Sequence, residues 1–129
     1  GGKHRPWTPL HVAAEEGDAT KIEQLIKTPG IVNAADRRGF TPLHVAAEHG
    51  SFDAIAALIA AEGINVNAAA GLRGFAPLHV AAEMGRVRSI AALLKARDIN
   101  VNVAAASRGS TPLHVAVKKG NVDAIAALI

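Results

Sequence analysis

The sequence has no cysteine and no tyrosine, and only one methionine and one tryptophan among its 129 residues. Without thiols there is no disulfide framework, no thiolate metal site and no cysteine nucleophile. Packing and hydrogen bonds must hold the fold, and a reducing compartment, the cytoplasm, is the expected location. Aromatic residues make up only 3 % of the chain while apolar residues make up 50 %. The core must therefore be built from Ala, Leu, Ile and Val, and abundant alanine favours short helices that approach closely. No window holds 18 consecutive apolar residues and no signal peptide is visible, so a soluble chain with no membrane partner is expected. A net charge of +3 is modest, and a pI of 9.7 gives by itself no reason to expect nucleic acid. The phosphate-binding, nucleophile-elbow and zinc-helix motifs (G-x-x-x-x-G-K, G-x-G-x-x-G, G-x-S-x-G, H-E-x-x-H) are all missing. No enzyme, cofactor or small-molecule substrate is expected.

What the sequence does have is self-similarity. The stretch TPLHVAAEHG at Thr41–Gly50 recurs as TPLHVAAEEG from Thr8, APLHVAAEMG from Ala76 and TPLHVAVKKG from Thr111, with starts 33, 35 and 35 residues apart. A period of this size marks a repeat array. Thr41 is placed to cap a helix, Pro42 suits the first helical position, and Gly50 suits the left-handed residue that ends it. Two turns of helix do not persist alone in water, so each copy needs a partner. The partner follows the glycine: a second helix with an apolar stripe, expected at Ile22, Leu25 and Ile26 in the first unit. The matching stripes are Phe52, Ile55, Ala56, Leu58 and Ile59; Val87, Ile90, Leu93 and Leu94; and Val122, Ile125 and Leu128. Connectors carrying Val32-Asn33, Val66-Asn67 and Val101-Asn102 lead to Gly39, Gly74 and Gly109, just ahead of the next helix start.

On these residues the chain resembles ankyrin repeats over nearly its whole length. The resemblance implies an all-α solenoid of four helix-turn-helix units joined by β-hairpin-like connectors. It makes residues 1–129 a single domain, with units of about 1–33, 34–67, 68–102 and 103–129, the last cut short. The second and third connectors are two residues longer than the first and lack its Asp36, having Gly71 and Ala106 at the equivalent places, so hairpins with extended tips are expected. Pro6 stands where the other units have glycine, residues 1–7 read as the remnant of a connector, and Gly1-Gly2 read as a cloning scar. Because unit four stops inside its second helix, the natural chain is expected either to continue or to have been cut or engineered here.

His11, His44, His79 and His114 recur once per unit. The resemblance implies a structural ring bonding the adjoining turn, and stacked units hold neighbouring rings too far apart to share a metal. His4 and His49 lack ligand partners at metal spacing. Glu48, His49 and Glu83 form no catalytic set, because nothing places a nucleophile or oxyanion hole beside them.

The informative positions are those the scaffold does not need: the hairpin tips and the residues just before the glycine that ends each first helix. In ankyrin arrays both line the concave, partner-binding surface. Arg5, Arg38, Arg73 and Arg108 precede the tip glycine or Pro6, and Arg37 stands beside Arg38. Trp7, Phe40, Phe75 and Ser110 follow it. The helix ends are Glu15-Glu16, Glu48-His49, Glu83-Met84 and Lys118-Lys119. Arginine and aromatic side chains are favoured at interface hot spots. The expectation is a non-catalytic module that binds a protein or peptide, acidic and extended, whose apolar residues rest on the aromatic column while its carboxylates take the arginines. Two other readings stand: the repeats target or regulate an enzyme or effector domain elsewhere, or Asn33, Asn67 and Asn102 are substrates of a protein asparaginyl hydroxylase.

Overall fold

Each repeated start becomes a helix start. The computed structural model describes residues 7–129, so Arg5, His4 and the turn at Pro6 lie outside the described residues. Within them are eight helices: α1 (Pro9–Glu16), α2 (Ala19–Leu25), α3 (Pro42–His49), α4 (Phe52–Ile59), α5 (Pro77–Glu83), α6 (Val87–Leu93), α7 (Pro112–Lys119) and α8 (Val122–Leu128). The first helices stack in one layer, α1 on α3 on α5 on α7, and the second helices α2, α4, α6 and α8 in another. Among the described residues the only strand-like pairing is an isolated bridge between Ala70 and Phe75. The architecture is the all-α repeat solenoid expected.

Local chemistry explains the helix starts. Thr8, Thr41 and Thr111 are extended at the N-cap, and each side chain accepts the N–H of the histidine three residues on. The histidine returns the favour, its Nδ1 accepting the cap residue's own N–H at 3.0–3.1 Å. Ala76 offers no acceptor, so only the return bond from Ala76 N–H to His79 Nδ1 remains, at 3.0 Å. The helix still begins at Pro77, so the longer connector has not moved it. Gly50 ends α3 at φ +71°, the left-handed conformation that glycine adopts without penalty.

The core runs through both layers. Leu10, Leu43 and Leu78 of the first helices and Ile22, Ile55, Leu58, Ile90 and Leu93 of the second are fully buried. The expected stripes need correction at their first residue. Phe52, Val87 and Val122 are exposed, as is Ala56, and the inward side of α4 is Ala54, Ile55, Ala57 and Leu58. The first residues of α4, α6 and α8 fall on the outer side of the stack. Phe52 there lies under Arg88 of the next unit, with the guanidinium carbon 5.6 Å from the ring centroid.

The connectors close as hairpins of two sizes. In the first, Asp36 N–H donates to the Phe40 carbonyl at 2.9 Å, spanning three residues. In the second, Ala70 and Phe75 exchange both bonds at 2.9 Å, and in the third Ala105 N–H meets the Ser110 carbonyl at 2.8 Å, each spanning four. The extended tips expected are present, and Ala70 and Ala105 close them, one residue ahead of Gly71 and Ala106, the positions equivalent to Asp36. Successive tips also join: Gly71 N–H donates to the Arg38 carbonyl at 2.7 Å and Ser107 N–H to the Arg73 carbonyl at 3.4 Å. Gly74 permits this approach, because a Cβ there would lie 2.7 Å from the Ala106 Cβ.

Candidate interaction face

The histidine column is structural. His11, His44 and His79 are fully buried, and each Nε2 reaches a carbonyl of the next unit, those of Phe40, Phe75 and Ser110, at 2.7–2.8 Å. A carbonyl only accepts, so Nε2 carries the proton. Nδ1 faces a backbone N–H, so it must be bare. The neutral tautomer is thus dictated by its neighbours. Burial pushes His44 down to about 4 against the raising effect of the Phe75 carbonyl, and burial likewise lowers His11 and His79. Among the described residues no cluster of histidine, aspartate or glutamate is arranged to hold a metal ion.

The asparagines also join units. Asn33 donates its amide to the Gly63 carbonyl at 2.8 Å and accepts from Asn65 N–H at 2.7 Å. Asn67 repeats this with Asp98 and Asn100 at 2.8 and 2.9 Å.

The aromatic column is less open than its sequence position suggests. Phe40 and Phe75 lie against the rings of His44 and His79, with centroids 5.1 and 4.8 Å apart. Arg38 and Arg73 cover their other faces at 4.1 and 3.9 Å. Phe75 is only 7 % exposed, so its ring is no platform for a ligand. Trp7 stacks on His11 and donates its indole N–H to Asp36 at 2.9 Å. Asp36 also accepts from Arg38 and Phe40 N–H at 2.8 and 2.9 Å. Its burial would raise the carboxyl pKa, but these bonds and the nearby Arg38 guanidinium hold it below its ordinary value.

The arginine column divides. Arg73 makes a two-bond contact with Glu83, which raises Arg73 and lowers Glu83. Arg38 lies 3.7 Å from Asp36. Arg108 adopts φ +63°, a left-handed conformation uncommon outside glycine, and no ring follows it because position 110 is serine. At the helix ends, Glu48 and His49 lie 4.0 Å apart, and Met84 is exposed.

Two clefts gather the predicted residues. One, of about 660 Å³, lies between the second and third tips and is lined by Arg37, Arg38, Phe40, Arg73 and Phe75 together with Leu72. The other, of about 340 Å³, joins tip and helix end between units three and four: Arg73, Phe75, Glu83, Arg108, Ser110, Lys118 and Lys119, with Ser107 and His114. Neither cleft takes in Trp7, Glu48, His49 or Met84. Leu72 was not singled out in the sequence, yet its side chain is fully exposed. The available signal was a large apolar residue inside an enlarged tip whose other members are two glycines and an arginine.

Comparison with known families agrees with this geometry. The family model described as ankyrin repeats (3 copies) matches residues 2–70 and 68–129. Among curated proteins none matches the chain. Ankyrin repeats are generally protein–protein interaction modules and are typically non-catalytic. With its capped helix pairs, stacked hairpin tips and a match that spans nearly every residue, the chain belongs to the ankyrin-repeat family.

Proposed function

We propose that the chain is a non-catalytic module that binds an acidic protein or peptide along the face built from hairpin tips and first-helix ends, the concave face of the array. The observation that carries this reading is Leu72. It is fully exposed at a tip, contributes nothing to the core, and shares its cleft with Arg37, Arg38 and Arg73. A bare apolar side chain ringed by guanidinium groups suits a ligand that offers a hydrophobic residue flanked by carboxylates. Stacking on Phe40 and Phe75 holds Arg38 and Arg73 in place, which lowers the ordering cost of binding. Leu72 thus takes the anchoring role that the sequence pattern assigned to the aromatic column. The inter-unit bonds of Asn33 and Asn67 support a structural role for those residues.

The test is affinity capture with the intact stack and with the double variant Leu72→Ser, Arg37→Ala. Both positions are exposed, so the melting curve is expected to stay unchanged while captured partners are lost. Identical partners retained in equal amounts by both proteins would rule this face out.

A further inference from the structure

The repeat supplies an internal control for the cleft between units three and four. Subtracting 35 from each lining residue gives the matching positions one unit earlier. Arg73 matches Arg38, Glu83 matches Glu48, and Arg108 matches Arg73. Ser107 stands where unit three has Leu72, Ser110 where it has Phe75, Lys118 where it has Glu83, and Lys119 where it has Met84. Two carboxylates balance two guanidinium groups in the earlier set. In the later set four cations face one carboxylate, a net +3.

Two of these changes also free a donor, Arg108. Arg73 is held by its bonds to Glu83 and by the ring of Phe75. Arg108 has Lys118 and Ser110 at those places, so neither restraint exists for it. The lone carboxylate, Glu83, is committed to Arg73 and feels the charge of Lys119. Phe75 fills the space between His79 and Arg73, whereas Ser110 leaves that volume open and adds a hydroxyl. The stack itself gains nothing from crowding three unpaired cations together.

We infer that this cleft receives a phosphate monoester carried on the partner, so that phosphorylation of a serine or threonine governs docking. This deepens the proposed function and rests on the same face. A carboxylate brings one charge and two oxygens. A phosphate monoester brings a charge of about −1.5 to −2 and three strong acceptor oxygens, which suits Arg108, Lys118 and Lys119 acting from separate points, with the Ser107 and Ser110 hydroxyls beside them. The tips are continuous with the Leu72 cleft, because Arg73 and Phe75 line both. One extended ligand therefore reaches the hydrophobic anchor and the anion site together.

The experiment uses the intact chain and two probes. Inorganic phosphate is titrated at constant ionic strength while backbone amide resonances are followed. Degenerate acidic peptides with a fixed leucine are then compared with either phosphoserine or serine at each downstream position. Phosphate is expected to shift the amides of Ser107, Arg108, Ser110, Lys118 and Lys119. The best phosphoserine peptides are expected to bind at least about tenfold tighter than their serine counterparts. The variant Lys118→Glu, Lys119→Met, which carries the unit-three residues, should erase that preference and leave the melting curve unchanged. Equal binding of phosphorylated and unphosphorylated peptides, with loss on Leu72→Ser, would overturn the phosphate site while leaving the face standing. Retention of neither peptide, with no localised shift on phosphate addition, would overturn both.

Discussion

The junction between units two and three and the junction between units three and four use the same positions for opposite ends. At the middle junction the pattern closes on itself. His44 bonds forward to Phe75, Phe75 is covered by Arg73, and Arg73 is neutralised by Glu83. At the last junction His79 still bonds forward to the Ser110 carbonyl, but Ser110, Arg108 and Lys118 then stand where Phe75, Arg73 and Glu83 stood, so the ring contact and the ion pair are missing. His114 still bonds Thr111 within its own unit, but its Nε2 has no partner among the described residues. Hydrogen-bonded histidines and buried leucines set the stack, while tip and helix-end residues vary in charge without changing where a helix starts.

The largest expected effect contrasts the two histidines. His44→Ala strands the Phe75 carbonyl and opens a buried space, and should cost about 3 kcal/mol. His114→Ala removes only a local cap bond and should cost less than about 1 kcal/mol. Denaturant unfolding of the two variants measures the gap, and equal losses would mean that the forward bond contributes little.

Acid should act on the same contrast. The folded chain keeps His44 neutral down to about 4, whereas an unfolded histidine titrates near about 6.5. Between those values the unfolded state binds more protons, so stability falls as pH falls through the window and is fully present above it. His44 alone should account for about 3 kcal/mol, since each pKa unit corresponds to about 1.36 kcal/mol. Asp36 and Glu83, with depressed pKa values, add to the loss at lower pH. Unfolding curves at neutral and at mildly acid pH check this, and a flat profile would contradict the neutral-tautomer network.

Smaller effects separate the units in the second layer and at the caps. Ser89 is fully buried with an unpartnered hydroxyl, and the matching residues Ala54 and Ala124 are buried alanines. Ser89→Ala should stabilise the stack by about 1–2 kcal/mol. Ala76→Thr restores the missing cap and should add about 1 kcal/mol. A midpoint that does not rise in thermal melts would show in the first case that the hydroxyl finds a partner, and in the second that the threonine side chain fails to reach His79 N–H.

The stack was legible in the sequence because its causes are local and repeated. Thr-Pro at a helix start, glycine at its end and buried leucine at fixed spacing act within ten residues, and four copies make the signal unmistakable. The site was less legible because burial at a tip depends on contacts across units. Phe40 and Phe75 occupy equivalent positions with Ser110, yet whether a ring is open depends on the histidine below it and the arginine above. Nothing in a single repeat reveals that Trp7 reaches Asp36, 29 residues away. Leu72 was visible as a letter but not as an exposed one, since an enlarged tip can turn a side chain either way.

If face and stack are separable, grafting unit three onto unit four must alter the face and spare the stack. The variant Ser107→Leu, Ser110→Phe, Lys118→Glu, Lys119→Met gives the last junction the residues of the middle one. Its unfolding midpoint and its retention of a phosphoserine peptide should be measured together. The midpoint is expected to be no lower than that of the parent, because Phe at 110 gains His114 as a stacking partner, and the phosphoserine preference is expected to be lost. A cooperative fold that is lost, or a phosphoserine preference that survives the graft, would contradict that separation.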